Sequence, residues 1–272
     1  MGAFESEPTD LRDTALQVAE EAADLVRRAR EAMVAGDAVQ VDTKSTDTDV
    51  VTAVDRASER LIRQRLAELR PDDQVLGEEE GGAAGDGVTW VVDPIDGTVN
   101  FLYGSPCFAV SVAAQVGGVS VAGAVVEPVD GRRWTAVRGQ GAWLDGRRLH
   151  TSAPERLDLT LVGTGFSYDR ARRARQAAMV AELMSRVRDV RRPGAASLDL
   201  CAVAAGWLDA YVEHGLHRWD WAAGALIAAE AGAVVSLPGE DEELGPDATF
   251  AAAPTIAAPL RAALLSSGIA KI

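Results

Sequence analysis

Residues Phe108–Val126 read FAVSVAAQVGGVSVAGAVV, a run about as long as a membrane-spanning helix. Gly117-Gly118 divides it, however, and Ser111, Gln115 and Ser120 interrupt it with polar groups. Two strands joined by a tight glycine turn account for both features, so the run predicts an antiparallel hairpin and no membrane span. The composition agrees, because 272 residues with 47% hydrophobic and 25% charged side chains describe an ordinary soluble globular chain with an ample core.

Working outward, a strand at Val88–Val92 precedes the hairpin, and RRWTAV and GAWLDGRRLH follow it as further antiparallel strands. Upstream, LRDTALQVAEEAADLVRRAREAM repeats apolar residues at helical spacing, with Thr9 or Asp10 as its expected cap and Gly36 after it. A polar turn, DTKSTDTD, leads through VVTAVD into a second amphipathic helix that runs to about Leu69 and is closed by Pro71. A short strand at Gln74–Leu76 then enters the acidic stretch GEEEGG. Beyond residue 152 strands and helices alternate to the end of the chain. The fold class is therefore α/β (α+β layered): an α+β half over residues 1–152, an α/β half over 153–272, and the chemistry between them.

A net charge of −14 with a pI near 4.7 disfavours nucleic acid and anionic membrane as partners. Cys107 and Cys201 are too few for a disulfide scaffold, and the N-terminus carries no signal-like segment, so the cytoplasm is the expected location.

The stretch WVVDPIDGTVNF, Trp90–Phe101, sets Asp93 and Asp96 in one corner, stiffened by Pro94 and turned by Gly97. Carboxylates that close repel unless something positive lies between them. Hard cations such as Mg²⁺ take carboxylate and carbonyl oxygens, so the Ile95 carbonyl joins the candidate ligands. The amides of Gly97 and Thr98 open an expected helix, a position suited to an anion. The simpler reading is a polar turn with Asp96 capping that helix. Glu78 follows a short strand and Gly77, where a solvated acidic loop is the simpler reading. Asp220 opens a helix as an N-cap, yet Trp219 and Trp221 flank it and predict partial burial. Asp49 and Asp55 flank VVTAV, and Asp55 could cap the helix that follows. Of 27 basic residues only Lys44 and Lys271 are lysine, which singles out Lys44 as a compact ammonium in a polar turn. His214 and His217 have no matching cluster and read as solvated or hydrogen-bonded. Trp207, Trp219 and Trp221 read as packing, and Arg170–Arg175 as a solvated helix face.

The pieces KSTDTDVVTAVD, LGEEE, WVVDPIDGTVNF, GTGFSYD, RRPGAASLD, DAYVEHG and WDWAAGALIAAEAGA occur in an order that resembles the inositol monophosphatase family. These are Mg²⁺-dependent, lithium-sensitive sugar-phosphate phosphatases. The resemblance implies an αβαβα sandwich and hydrolysis of myo-inositol 1-phosphate or a similar small phosphate ester. It also implies two to three Mg²⁺ ions per site, Mn²⁺ as a substitute, Li⁺ as an inhibitor, and a homodimer. Carried over residue by residue, Glu78, Asp93 and the Ile95 carbonyl would bind one ion, and Asp93, Asp96 and Asp220 a second, with a third near Glu78. Asp55 and Thr98, aided by Glu78, would activate the attacking water. Gly97 and Thr98 would hold the phosphate. Asp96, Gly194, Ala195, Ala196, Glu213 and Asp220 would face the substrate, with Lys44 and Asp49 in support. The chemistry stands on its own, since ester hydrolysis needs a hydroxide, neutralised phosphate oxygens and a stabilised leaving group, and divalent ions supply all three.

Two departures stand out. Ala195 lacks the small hydroxyl that the family commonly has, and Ser197 carries one instead; a shifted sugar preference is expected, with no effect on the metal ligands. The GEEEGG loop runs into AAGDG and is expected to order on metal binding. Other small esters (histidinol phosphate, fructose 1,6-bisphosphate, an adenosine bisphosphate) remain alternatives, as does a regulatory binding protein with secondary phosphatase activity.

Overall fold

The computed structural model of the chain describes residues 8–37, 40–43 and 50–272. Lys44 and Asp49 lie outside the described residues. Helix α1 spans Pro8–Val34. Proline suits a first helical position, which has no amide bond to lose, so Thr9 and Asp10 sit inside the first turn and do not cap it. Strands β1 (Val41–Thr43) and β2 (Val50–Thr52) pair antiparallel and lead into α2 (Ala53–Leu69).

The predicted hairpin is β5 (Ala109–Val116) and β6 (Val119–Val126). Gly117 and Gly118 have φ of +57° and +83°, the left-handed pair that a two-residue hairpin turn requires. With β3 (Gln74–Gly77), β4 (Val88–Asp96), β7 (Arg133–Val137), β8 (Gly141–Leu144) and β9 (Arg147–Arg148), the hairpin forms a seven-stranded sheet in chain order. Only β3 and β4 run parallel within it. A second sheet has the order β11-β10-β12-β14-β13, from β10 (Leu161–Thr164), β11 (Asp189–Arg191), β12 (Ala210–His214), β13 (Val234–Ser236) and β14 (Ala248–Ala252). In it β10 lies parallel to β11 and β12, while β14 opposes β12 and β13.

Helices pack on both faces of the seven- and five-stranded sheets. On the outer face of the first sheet, Leu11, Val18 and Val26 of α1 and Ile62 and Leu66 of α2 pack with Val92, Val110 and Val112. Helices α5 (Ala196–Ala204) and α6 (Arg218–Glu230) lie between the sheets. There Ala222, Ala223 and Leu226 meet Val91, Ala113 and Val125 on one side, and Leu200, Ala225 and Ala228 meet Tyr211 and Ala251 on the other. Helices α4 (Arg170–Leu183) and α7 (Ala257–Ser266) close the far side through Met179, Leu183, Leu260 and Leu264. The result is the αβαβα sandwich. Adjacent residues of β4 and β5 fall alternately into the outer and the middle core, so both faces are dry and the sequence reads as one apolar run. No helix among the described residues is long and apolar enough to cross a membrane.

Candidate active site

The site is set by strand geometry. In an undisturbed strand, residues three apart point to opposite faces. Between Asp93, opposite Ser111, and Asp96, opposite Ala109, β4 spends three steps against two on β5, a bulge that reverses this parity. Pro94 is tolerated there because a bulge leaves an amide without a ladder partner. The Asp93 Oδ1 accepts the Ile95 N–H at 3.1 Å, and Ser58 on α2 donates to the Pro94 carbonyl at 3.1 Å. Gly97 then turns the chain at φ +94° into the five-residue helix α3 (Thr98–Leu102). A β-carbon at Gly97 would also come within 3.1 Å of the Cys107 carbonyl.

Two further acids arrive from elsewhere. Parallel strands end together, and Gly77 of β3 lies opposite Val92, so Glu78 stands beside Asp93. Asp220 enters from the first turn of α6, where it occupies the third helical position and its Oδ2 accepts the His217 N–H at 2.6 Å. It is the reciprocal acid of a capping box, not the N-cap expected from sequence. Ligand oxygens of Asp93, Asp96 and Asp220 lie within 4.8 Å of one another, with Glu78 adjoining Asp93 outside that triad. Burial, then the neighbouring charges of Glu78, Asp96 and Asp220, pushes the Asp93 carboxyl far above the usual carboxylate range. Burial, then Asp96 and Glu78, does the same to Asp220. Asp96 is pushed up to about 6 by burial, although three hydrogen bonds oppose the shift. The all-oxygen donor set and the mutual repulsion fit a hard divalent cation.

Asp55 is fully buried. Its Oδ1 accepts the Thr98 hydroxyl at 2.9 Å, and that hydroxyl also lies 3.0 Å from the Ile95 carbonyl. Its Oδ2 accepts the Thr52 N–H at 2.8 Å and the Thr52 hydroxyl at 2.5 Å. Thr52, not Asp55, caps α2, and Asp55 is the reciprocal acid. Sequence reading passed over Thr52, although T-A-V-D has the capping-box spacing that would have flagged it.

Asp96 does not cap the helix that follows it. It caps α5 from across the site: Oδ1 accepts the Ala196 N–H at 3.2 Å, and Oδ2 accepts the Ser197 N–H at 2.7 Å and the Ser197 hydroxyl at 2.5 Å. The hydroxyl at 197 is buried and grips a candidate metal ligand, which corrects the expectation that this departure leaves the ligands untouched. Ala195 does not line the cavity; it packs in the core beneath Gly97.

A cavity of about 580 Å³ opens above these groups, lined by Glu78, Asp93, Ile95, Asp96, Gly97, Thr98, Gly194, Ala196, Glu213 and Asp220. Glu213 of β12 accepts the Tyr211 hydroxyl at 2.5 Å, and Gly165 leaves the space its carboxylate occupies. Burial pushes Glu213 up to about 7. Sequence reading missed Arg192, which lines the cavity, and Asn100, whose amide donates to the Cys107 and Pro193 carbonyls at 2.7 and 2.9 Å and joins the two walls. Trp219 also lines the cavity and stacks on the exposed His217 ring, so it is more than core packing. His214 is buried and bonded to the Leu244 carbonyl, while Trp207 is half exposed against Trp134 and Arg132.

A profile of the inositol monophosphatase family matches residues 7–270. An inositol-1-monophosphatase of Mycobacterium leprae is 54% identical over 277 residues, covering 96% of this chain and 95% of its own. A Nus factor SuhB of Escherichia coli K12 is 42% identical over 207 residues, covering 74% of this chain and 76% of its own. The solved structure of Mycobacterium tuberculosis SuhB has a TM-score of 0.82 at 46% identity, covering 97% of this chain and 99% of that one. With a family profile spanning nearly the whole chain, and half or more of the residues shared with a relative across its length, the chain belongs to the inositol monophosphatase family.

Proposed function

We propose that the protein is a Mg²⁺-dependent phosphomonoesterase that hydrolyses myo-inositol 1-phosphate to inositol and phosphate. One observation carries the reading: three carboxylates crowd within 4.8 Å on the floor of a cavity whose wall holds Thr98, bonded to the buried Asp55 behind it. When bound there, Mg²⁺ supplies charge neutralisation for the phosphate, acidification of a water and stabilisation of the leaving oxygen. Asp93, Asp96 and Asp220 would hold one ion, Glu78, Asp93 and the Ile95 carbonyl another, and a third would sit by Glu78. Asp55 takes the Thr98 proton at Oδ1, which frees the Thr98 oxygen to accept a proton from the attacking water. The Gly97 and Thr98 amides face the phosphate, and Glu213, Ala196, Asp96 and Gly194 face the polyol hydroxyls. Mn²⁺ as a substitute, Li⁺ inhibition, a homodimer and a cytoplasmic location belong to the same reading.

Phosphate release from inositol 1-phosphate, with and without Mg²⁺, tests it beside histidinol phosphate, fructose 1,6-bisphosphate and adenosine bisphosphate. The expected result is Mg²⁺-dependent turnover with the highest kcat/KM on the inositol ester, and no turnover of it refutes the substrate. The Escherichia coli relative's name, Nus factor, motivates a second reading in which the chain also joins a protein assembly. A pull-down that Asp93→Asn leaves intact while activity is lost would separate the two roles.

A further inference from the structure

We infer that Glu59 is a positioning residue that holds Glu78 in place for metal binding; this rests on the metal reading above. One face of α2 carries Asp55, Ser58 and Glu59, all polar and all fully buried. Buried polar groups at that density need partners, and each finds one in a different wall of the site. Asp55 takes Thr98 and Ser58 takes the Pro94 carbonyl. Glu59, one helical turn beyond Asp55, takes the turn that presents Glu78.

The grip has several parts. Glu59 Oε2 accepts the Glu79 N–H at 2.7 Å, and Oε1 accepts the Glu80 N–H at 3.0 Å and the Arg63 Nε–H at 2.8 Å. Arg63, one turn further along α2, donates from Nη2 to the Gly81 carbonyl at 2.5 Å. That carbonyl also accepts the Gly77 N–H at 2.9 Å, which closes the turn. Gly77 leaves the carboxylate its place, since a β-carbon there would lie 2.1 Å from Glu59 Oε1 and displace it. The residue before Glu78 and the two after it are thus all set against one carboxylate. Every bond in this grip is made by the chain's own groups. Two groups from one rigid helix therefore fix the spacing between the Asp55–Thr98 pair and Glu78.

The test uses the full chain freed of metal by chelation. Glu59→Gln keeps the shape, halves the acceptors and removes the ion pair with Arg63. Exchange of the 77–82 amides in the metal-free protein is expected to speed up. Mn²⁺ affinity by calorimetry is expected to weaken about tenfold, the usual scale for groups that orient ligands. The half-saturating Mg²⁺ concentration for turnover should rise by more than kcat falls. In a Glu78→Gln background, Glu59→Gln should weaken Mn²⁺ no further, because the pathway through Glu78 is already gone. Arg63→Met, which leaves the Glu59 carboxylate in place, should give the same effects in smaller degree if Glu59→Gln proves poorly folded. Unchanged turn exchange and unchanged Mn²⁺ affinity in a folded Glu59→Gln protein, or equal losses with and without Glu78, overturn the assignment. A wild-type chain that takes up no Mn²⁺ overturns the metal reading itself, and is a different result.

Discussion

Asp220→Asn is expected to stabilise the metal-free protein while removing its response to Mg²⁺. Asparagine keeps the oxygen that accepts the His217 N–H at 2.6 Å, so the start of α6 survives. What it removes is one buried charge from a group of acids that push one another's carboxyls up. Asp96 gives the scale: a carboxyl moved from 3.8 to about 6 costs about 3 kcal/mol of stability once the pH exceeds both values. Asp220 is pushed up in the same direction, by burial first and by Asp96 and Glu78 next, and part of its cost is shared with them, so the variant is expected to gain stability at neutral pH. For a domain of this size each kcal/mol gained raises Tm by about 2–4 °C. The sign follows from linkage, because a raised acid binds a proton in the folded state that the unfolded chain has released. The wild type therefore loses stability as pH rises from about 4 upward, and the advantage of the variant opens over the same window. Thermal unfolding of chelator-treated proteins between about pH 3.5 and about pH 8, repeated with Mg²⁺, reads all of this. A metal-free variant no more stable than wild type at neutral pH, or a gap that widens toward acid, refutes the reasoning.

Four other outcomes are expected. Asp93→Asn should lower kcat by orders of magnitude with the far-ultraviolet circular dichroism unchanged, since the proposed arrangement has Asp93 serving two ions at once. Asp55→Asn should lower kcat about 10²–10⁴-fold, the usual worth of a general base, while steady-state KM moves little. The KM for inositol 1-phosphate should fall as pH rises through about 7, where Glu213 ionises and becomes a full acceptor for hydroxyls; in Glu213→Gln that dependence should vanish. Millimolar Li⁺ should inhibit turnover in a phosphate-release assay, and an insensitive enzyme would count against the carried-over ion positions.

Much of the layering was legible because burial on two faces, or one, leaves a periodic trace. The hairpin at 109–126 and the alternation after residue 152 were read correctly from that trace and from the glycines between elements. Thr9 or Asp10 as the cap of α1, and the simpler alternatives of Asp55, Asp96 and Asp220 as caps of the helices beside them, did not hold. Any Ser, Thr or Asp near a helix start looks like a cap, and only the backbone shows which residue lies just outside the helix and which stands three places in. Asp96 was the hardest case, because the helix it caps begins 100 residues away. The Glu59 grip left no trace either: a glutamate inside an amphipathic helix reads as solvent-facing, and its burial depends on a turn supplied by another part of the sheet.

The same free energy that makes the acid cluster unstable when bare makes it a strong ligand set. Protons and metal ions compete for the same oxygens, so the raised carboxyls mean that metal uptake releases protons and weakens toward acid pH. A chain with net charge −14 would otherwise repel a phosphate ester. Here the negative charge nearest the substrate is concentrated on Asp93, Asp96, Asp220 and Glu78, where filling by cations reverses its sign locally. The arrangement demands that none of these acids relax away from the others. The bulge in β4 fixes Asp93 and Asp96, the α5 amides hold Asp96, the α6 capping box holds Asp220, and α2 holds the Glu78 turn. The acids are tied to β4, to the helices between the sheets and to α2 on the outer face, so relieving the repulsion by moving one of them requires deforming a packed core, and binding a cation is the cheaper way out.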